Sequence, residues 1–532
     1  MSEKKLKHIE LFAGCGGMSL GLEAAGYKLY LANELSPMAG ETFAYNLLNE
    51  TLEGNKAPLK TLWIKSQFPK DSIDKRLREN PFEAPEGNYS DIDDCTILND
   101  KLLIGDINEL LKILEKKPVL VKSIKNSEID LISGGPPCQS FSLAGKREKN
   151  NHKNILPESF ARLAGMIQPK TVLLENVKGI TSPFTENKIK YHAWLEVSKA
   201  FVLEGFVPVC MMLNSKYFGV PQNRPRFILL AYRKDIFKKL LKNNFNNDIL
   251  NLSNNFFEKV LKNKNSLETI TVKDFKYYDI ENNASLFDGV ILPKLTHTER
   301  TFISSGEAIG DIRTTRFSYI VNKTKGKYAN SLNDIFKIDF QKGIEVKNHD
   351  PRNHSFLIRS RFRFYQVVEQ FRNGLKKGAI DMFTGKNISD DLRVELLDEF
   401  SHHKLLFFDE NTNREIDIIP QSIKEVEQLL KLIPTKKHSQ RALAEFEPAP
   451  SQLTIPDDLC HYHSDHPRTL TVREMARFQS FPDWFEFKSK VTTGGQMRKF
   501  EVPQYTQVGN AVPPLLAKSL GELIKTQLNS IN

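Results

Sequence analysis

The stretch HIELFAGCGGMSLGLEAAGY (8–27) constrains the fold more than any other part of the chain. An apolar run ends at Phe12, the small residues Ala13-Gly14-Cys15-Gly16-Gly17 follow, and a helical pattern starts near Met18 and closes at Gly26. A strand that turns within a few residues into a helix is the beginning of a βα unit. The glycines let a ligand approach the backbone, and the helix N-terminus offers free N–H groups. The same residues also suit a tight turn with no ligand, and their spacing departs from GxGxxG. A nucleotide-like ligand without a pyrophosphate fits this turn better than a dinucleotide. The next strand ends at Ala32-Asn33-Glu34, where an acidic side chain can accept hydrogen bonds from ribose hydroxyls.

The rhythm continues through the first half of the chain. Strands are predicted at His8–Phe12, Lys28–Asn33, Asp130–Ser133, Thr171–Leu174, Val207–Leu213 and Phe227–Tyr232, with helices such as Met18–Ala25 and Pro157–Met166 between them. Interleaving of this kind predicts an α/β fold with a mostly parallel sheet. The last two strands lack an intervening helix and are expected to pair antiparallel at one edge. Residues 51–101 are polar and Pro-containing and read as an insertion. From Lys234 the texture turns to Lys, Asn and Phe, and no repeating βα pattern follows until a helix signal returns at Arg468. The expected units are therefore a first domain over 1–233, a second domain over 234–465, and a segment over 466–532 that returns to the first. At 532 residues the chain is too long for one core.

Three strand ends carry candidate chemistry. GGPPCQSFS (134–142) follows a strand, so its thiol, Cys138, lies at the sheet edge where ligands bind in α/β folds. Pro136 and Pro137 fix the backbone ahead of it. Taken alone, Cys138 also suits a small buried apolar role. Glu175, in LLENV (173–177), is either solvated or a working carboxyl. In VPQNRPR (220–226), Arg224 and Arg226 alternate on one face of an extended segment, two planar forks suited to phosphate or a carbonyl oxygen or, more simply, to solvent.

In this order the motifs resemble those of the C5-cytosine-specific DNA methyltransferases of bacterial restriction–modification type. FAGCGG resembles that family's cofactor loop, GGPPCQSFS its nucleophile loop, ENV its acid motif and VPQNRPR its QxRxR motif. RTLTVREMARFQSFPDWF (468–485) is similar to the helix supporting the recognition domain, and QVGNAVPPLLAKSL (507–520) to the closing cofactor motif. The resemblance covers 8–50, 104–232 and 465–525. It implies an S-adenosylmethionine-dependent methyltransferase with a Rossmann-like sheet and a second, mixed target recognition domain.

The resemblance also implies roles. Cys138 would add to C6 of a cytosine flipped out of the duplex, since C5 and C6 are unreachable while stacked. Glu175 would bond the ring at N3 and the exocyclic amine, Arg226 would hold the cytosine O2, and Arg224 would brace Glu175 or the thiol loop. For S-adenosyl-L-methionine, Phe12 would stack on adenine, and Gly14, Gly16, Gly17 and Pro137 would border the cofactor. Glu34 would hold the ribose, Asp106 would meet the adenine, and Asn510 and Val512 would close the pocket. Glu10 stands where the family commonly has aspartate, and Leu35 where it often has an aromatic residue.

The partner implied is double-stranded DNA, with a separately encoded restriction endonuclease as a companion and a monomeric enzyme. A net charge of +10 agrees with a polyanionic partner. No apolar run approaches bilayer length, no secretory signal opens the chain, and five scattered cysteines suggest a reducing, cytoplasmic setting. HDPRNHSFLIRSRFRFYQ (349–366) interleaves Arg352, Arg359, Arg361 and Arg363 with aromatics and suits either DNA contact or a solvated basic face. Cys460-His461-Tyr462-His463 with His466 matches no common structural zinc spacing, so no metal is expected. Two alternatives are less well served. An RNA methyltransferase of the tRNA-modifying branch would have a short interval before Arg468 and a Cys-Phe-Thr signature. A catalytically silent DNA-binding homologue would not need intact PPCQ, ENV and QxRxR.

Overall fold

Each predicted apolar run forms a strand, and the computed structural model shows how they assemble. It describes residues 5–54, 57–137, 156–186, 189–312, 326–337, 346–372, 374–409, 412–435, 440–452, 454 and 456–531. Among the described residues nine strands make one sheet: β1 (Leu6–Leu11), β2 (Tyr27–Glu34), β3 (Thr61–Trp63), β4 (Lys101–Ile104), β5 (Leu131–Gly134), β6 (Thr171–Val177), β7 (Phe206–Asn214), β8 (Pro225–Arg233) and β9 (Tyr277–Asp279). Their order is β9-β7-β8-β6-β5-β1-β2-β4-β3. All pairings are parallel except those of β8, which runs antiparallel to both β6 and β7. The two last predicted strands thus pair antiparallel as expected, but away from the edge, because β9 covers β7. β7 is buried along its whole length, as a strand covered on both faces must be.

The register decides where a site can form. Leu11 lies opposite Asn33 on one side and Gly134 on the other, Gly134 opposite Leu174, and Asn33 opposite Leu103. The residues that follow each strand therefore leave the sheet along one edge. The glycine turn, Glu34, Asp106, the segment leading to Cys138, and Glu175 all come from that edge.

Helix α1 (Gly17–Ala24) leaves the glycine turn and packs on the C-terminal helix α2 (Pro514–Ser530). The contact is close because of glycine: a Cβ on Gly21 would sit 2.3 Å from the Pro514 carbonyl oxygen and 2.6 Å from the Ala517 Cβ. Gly21→Ala is expected to destabilise the protein by about 1–3 kcal/mol, the usual cost of overpacking a tight contact. A denaturant midpoint equal to the parent's would show that the two helices yield easily.

Two expectations need correction. Residues 234–292 do not start a second unit. They form helices Lys234–Asn243 and Asp248–Lys262 and the edge strand β9, and they join the core of the sheet. Ile236, Phe237, Leu240, Phe256, Phe257 and Val260 are buried, and Phe256 stacks on Phe275 with centroids 4.1 Å apart. The Lys and Asn residues that set the texture cover the outside of this layer. Nor is 51–101 wholly separate, because Thr61–Trp63 extends the sheet as β3. Beside it Arg76, fully buried, pairs with Asp91 at 2.7 Å and lies over the Trp63 ring.

Further along, residues 362–433 gather a core of their own with Ala442 and Cys460. Another apolar cluster, including Ala308, Leu332, Phe478, Phe481 and Tyr505, joins the β2–β4 face to the segments around Leu443 and Leu470. The predicted helix after Arg468 runs from Val472 to Phe478, capped reciprocally by Thr471 and Glu474. Arg468 clasps Glu474 with two bonds of 2.7 Å, and this guanidinium outweighs burial to hold the Glu474 carboxyl well below the usual carboxylate range.

Candidate active site

The turn after β1 departs from ordinary backbone geometry. Phe12 takes φ 55° and Gly14 φ 54°, both left-handed. Phe12 is half-buried and tilts against Phe160 at 6.4 Å between centroids. A Cβ on Gly14 would meet nothing within 4 Å, so the backbone there borders open space. The other two glycines differ. A Cβ on Gly16 would strike Leu47 at 2.4 Å, and one on Gly17 the Val512 carbonyl oxygen at 2.4 Å. Their smallness serves packing; of the three, Gly14 alone has the room expected of a ligand contact.

Glu34 closes the same corner. Its carboxylate accepts from Gly14 N and from Ser36 N, both at 2.8 Å, so the strand-end acid and the glycine turn are one hydrogen-bonded unit. Burial pushes its carboxyl upward, against these backbone donors. Asp106 caps the helix Ile107–Lys116 by accepting from Asn108 N at 2.7 Å. Asn33, which the sequence reading passed over, donates to the Leu103 and Gly105 carbonyls at 3.0 Å each and thereby ties the ends of β2 and β4. Asn510 is exposed at the end of the helix Gln504–Asn510, and Val512 is buried beside Gly17. Open backbone at Gly14, a neighbouring aromatic ring and two strand-end carboxylate acceptors suit a flat ring bearing hydroxyl and amine donors.

Glu10 lies below this turn, fully buried, and accepts from the backbone and hydroxyl of Ser19. Burial pushes its carboxyl up to about 8, outweighing those hydrogen bonds. A carboxyl raised on folding contributes its full stability below its ordinary value of 4.5 and loses it as pH climbs to about 8. Glu10→Gln is therefore expected to flatten the fall in melting temperature over that window. An unchanged slope would assign it to another group.

The second half of the site lies one strand over. Cys138 itself is outside the described residues, which reach Pro137 on the chain leading to it. β5 ends at Gly134, Pro136 is buried and Pro137 is exposed. The Asn176 side chain donates to the Pro136 carbonyl at 3.1 Å. A Cβ on Gly135 would stand 3.1 Å from Glu175 Oε2. The approach to Cys138 thus passes directly over the Glu175 carboxylate. Glu175 Oε1 in turn lies 2.7 Å from Arg226 Nε, and both side chains are about nine-tenths buried. Burial draws the Arg226 guanidinium below its ordinary value, and the Glu175 charge opposes that. The β6–β8 register places Arg226 opposite Val177 and Glu175 opposite Ile228, so the pair meets diagonally at the strand end. Asn176 was also missed; its signal was a second polar residue next to Glu175 at a buried strand terminus.

Of the two roles the resemblance implies for Arg224, bracing the thiol loop concerns residues from Cys138 onward, which lie outside the described residues. As for the other, among the described residues Arg224 makes no ion pair or hydrogen bond with Glu175. Its guanidinium, 2% exposed, donates to the carbonyls of Gly509 at 2.8 Å and Ala511 at 3.1 Å. Arg224 is thus engaged by the turn around Asn510, whereas Arg226 meets Glu175.

The arginines of 349–366 are also engaged within the chain. They lie on or just before the helix Phe356–Glu369. Arg352 pairs with Asp457 at 2.8 Å and Arg359 with Glu415 at 3.0 Å, while Arg361 and Arg363 donate to the Ile433 and Ser464 carbonyls. Cys460 is buried against the Phe362 carbonyl, and the His461 ring lies 3.8 Å from Glu474.

A family model described as C-5 cytosine-specific DNA methylase matches residues 6–75 and 96–526. Only 76–95 falls between the matched parts, a narrower gap than the expected insertion. The chain is 25% identical to the type II methyltransferase M.DdeI of Desulfomicrobium norvegicum, over 98% of this chain and 89% of that one. It is 24% identical to M1.HphI of Haemophilus parahaemolyticus, over 98% and 86%. With M.Bpa9945I of Bacillus paralicheniformis it shares 25% over 98% and 99%.

Proposed function

Because the chain belongs to the C-5 cytosine-specific DNA methylase family and is a DNA (cytosine-5-)-methyltransferase, we propose that it methylates one cytosine of a specific duplex sequence by way of a covalent Cys138 adduct. We further propose that it protects DNA from a separately encoded endonuclease, as a type II modification enzyme acting as a monomer. The observation that carries the catalytic reading is the Glu175–Arg226 pair, 2.7 Å apart beneath the segment that delivers Cys138.

The chain's own groups divide the work. The Cys138 thiolate forms a bond to C6 of the flipped base, and the C5–C6 π electrons become a nucleophilic enamine centred on C5. Negative charge develops on the ring as that bond forms. Arg226 neutralises it at O2, and Glu175 engages N3 and the exocyclic amine from the opposite side. Holding both groups in one buried pair fixes their orientation before the base enters. Asn176 keeps Pro136 in place, so the thiol arrives along a constrained path. After C5 is alkylated, loss of its proton to a base and breakage of the C6–S bond restore the aromatic ring and release Cys138 as thiolate.

Phe12, the Gly14 backbone, Glu34 and Asp106 would hold S-adenosyl-L-methionine, with Asn510 and Val512 closing over it. When bound, this group supplies an electrophilic methyl on a sulfonium. The recognition surface would come from the unit around 356–460. Bisulfite sequencing of DNA from cells expressing the protein tests the reading. One recurrent sequence context, with one cytosine protected in each copy, is expected; DNA left unmethylated would overturn the assignment.

A further inference from the structure

Arg224 holds together segments that lie far apart in the chain. Its Nη2 takes the Gly509 and Ala511 carbonyls, which flank Asn510 in the turn before Val512. Its Nη1 reaches the Gln452 carbonyl and Gln222 Oε1, both at 3.4 Å. Gln222 Oε1 also accepts from Gln452 N at 3.0 Å, and its amide nitrogen donates to the Phe478 carbonyl at 3.0 Å. Gln479 completes the ring by donating to the Val508 carbonyl at 2.7 Å. Alongside, Gln222–Asn223 pair in parallel with Ala449–Pro450, and Ser451 Oγ donates to the Asn223 carbonyl. Gln222, Arg224, Gln452 and Gln479 are all at most 3% exposed.

A guanidinium has a planar, fixed fork, so the two Nη groups of Arg224 are both satisfied only when both pairs of acceptors are in place, while its buried Nε finds no hydrogen-bond partner among the described residues. Displacing either pair leaves donors of a buried cation unsatisfied, which is costly away from water. The position of 449–452, which lies between Ala442 and Cys460 of the core built on 362–433, is therefore tied to the position of the turn 509–512. Two residues beyond Arg224, Arg226 carries the Glu175 pair.

We propose that Arg224 is a positioning residue that couples seating of the recognition segment on DNA to closure of the cofactor pocket. This rests on the function proposed above for both sites. Its consequence is reciprocal: DNA tightens cofactor binding by the same factor by which cofactor tightens DNA binding.

The test is a calorimetric titration of S-adenosyl-L-homocysteine into the full chain, with and without a duplex carrying the mapped methylation site. The parent is expected to bind the probe roughly 5-fold or more tightly with DNA present. Arg224→Met is expected to bring that ratio to about 1 and Arg224→Lys to an intermediate value, since lysine keeps the charge but not the fork. A folded Arg224→Met protein with the parent's ratio, or a parent with a ratio of 1, would overturn the coupling while leaving the proposed function intact. A parent that binds neither probe nor duplex would instead overturn the proposed function. If Arg224→Met fails to show a cooperative melting transition, Gln222→Ala replaces it: a lowered ratio supports the strut and an unchanged one refutes it.

Discussion

Replacing Cys138 by serine is expected to lower methyl transfer by at least roughly three orders of magnitude, while duplex binding stays within a few-fold of the parent. Removing a nucleophile that acts with its partners as a unit collapses turnover. A serine hydroxyl remains almost wholly protonated at neutral pH, whereas a thiol is already partly ionised. Binding should survive, because Pro136 is held by the Asn176 side chain rather than by the thiol. Labelled methyl incorporation and a gel-shift titration on the same preparation separate the two effects. Turnover retained by the serine variant would remove Cys138 from the mechanism.

The Glu175–Arg226 pair carries the second large effect. Glu175→Gln keeps the shape of the side chain but removes the charge opposite Arg226, and turnover is expected to fall by roughly 10²–10³-fold, as when one preorganised electrostatic partner is lost. Glu175→Ala should also cost about 3–5 kcal/mol of folding stability, the usual consequence of leaving one member of a buried ion pair alone. Measuring kcat beside the denaturant midpoint distinguishes the two. A glutamine variant with parental kcat would mean that the carboxylate only supports the fold.

The parts of this molecule that the sequence makes legible are those set by backbone necessity. A strand running into Ala13-Gly14-Cys15-Gly16-Gly17 must turn, and Glu34, Asp106 and Glu175 sit at strand ends because a parallel sheet delivers every βα turn to one edge. What stayed hidden depends on partners distant in the chain. Arg224 and Arg226 look equivalent by spacing, yet one meets Glu175 and the other meets carbonyls 285 and 287 residues away. The Lys- and Asn-rich stretch after 234 reads as a new unit because its polar side chains outnumber the apolar positions. Burial of those few positions nevertheless fastens it to β7 and β9. Thr61–Trp63 is too short to announce a strand amid polar neighbours and is held by pairing with β4. The left-handed backbone of Phe12 carried no signal at all, since bulky residues rarely adopt it.

The arginines at 349–366 teach a related lesson. A basic, aromatic-interleaved stretch suggests a nucleic-acid contact, but carboxylates at Glu415 and Asp457 and nearby carbonyls already occupy much of its capacity. Which of these side chains stay free for a partner is therefore decided by the folded surface, and charge counting along the chain does not reveal it.

The central claim is that Cys138 attacks cytosine, and trapping the adduct tests it most directly. A duplex carrying 5-fluorocytosine at the methylated position blocks the final elimination, because fluorine cannot leave as the C5 proton does. In the presence of S-adenosyl-L-methionine, mass spectrometry of the digested complex should place the base on the peptide containing Cys138, with no such species from Cys138→Ser. An adduct on another residue, or none from a protein that still methylates the unmodified site, would contradict the account.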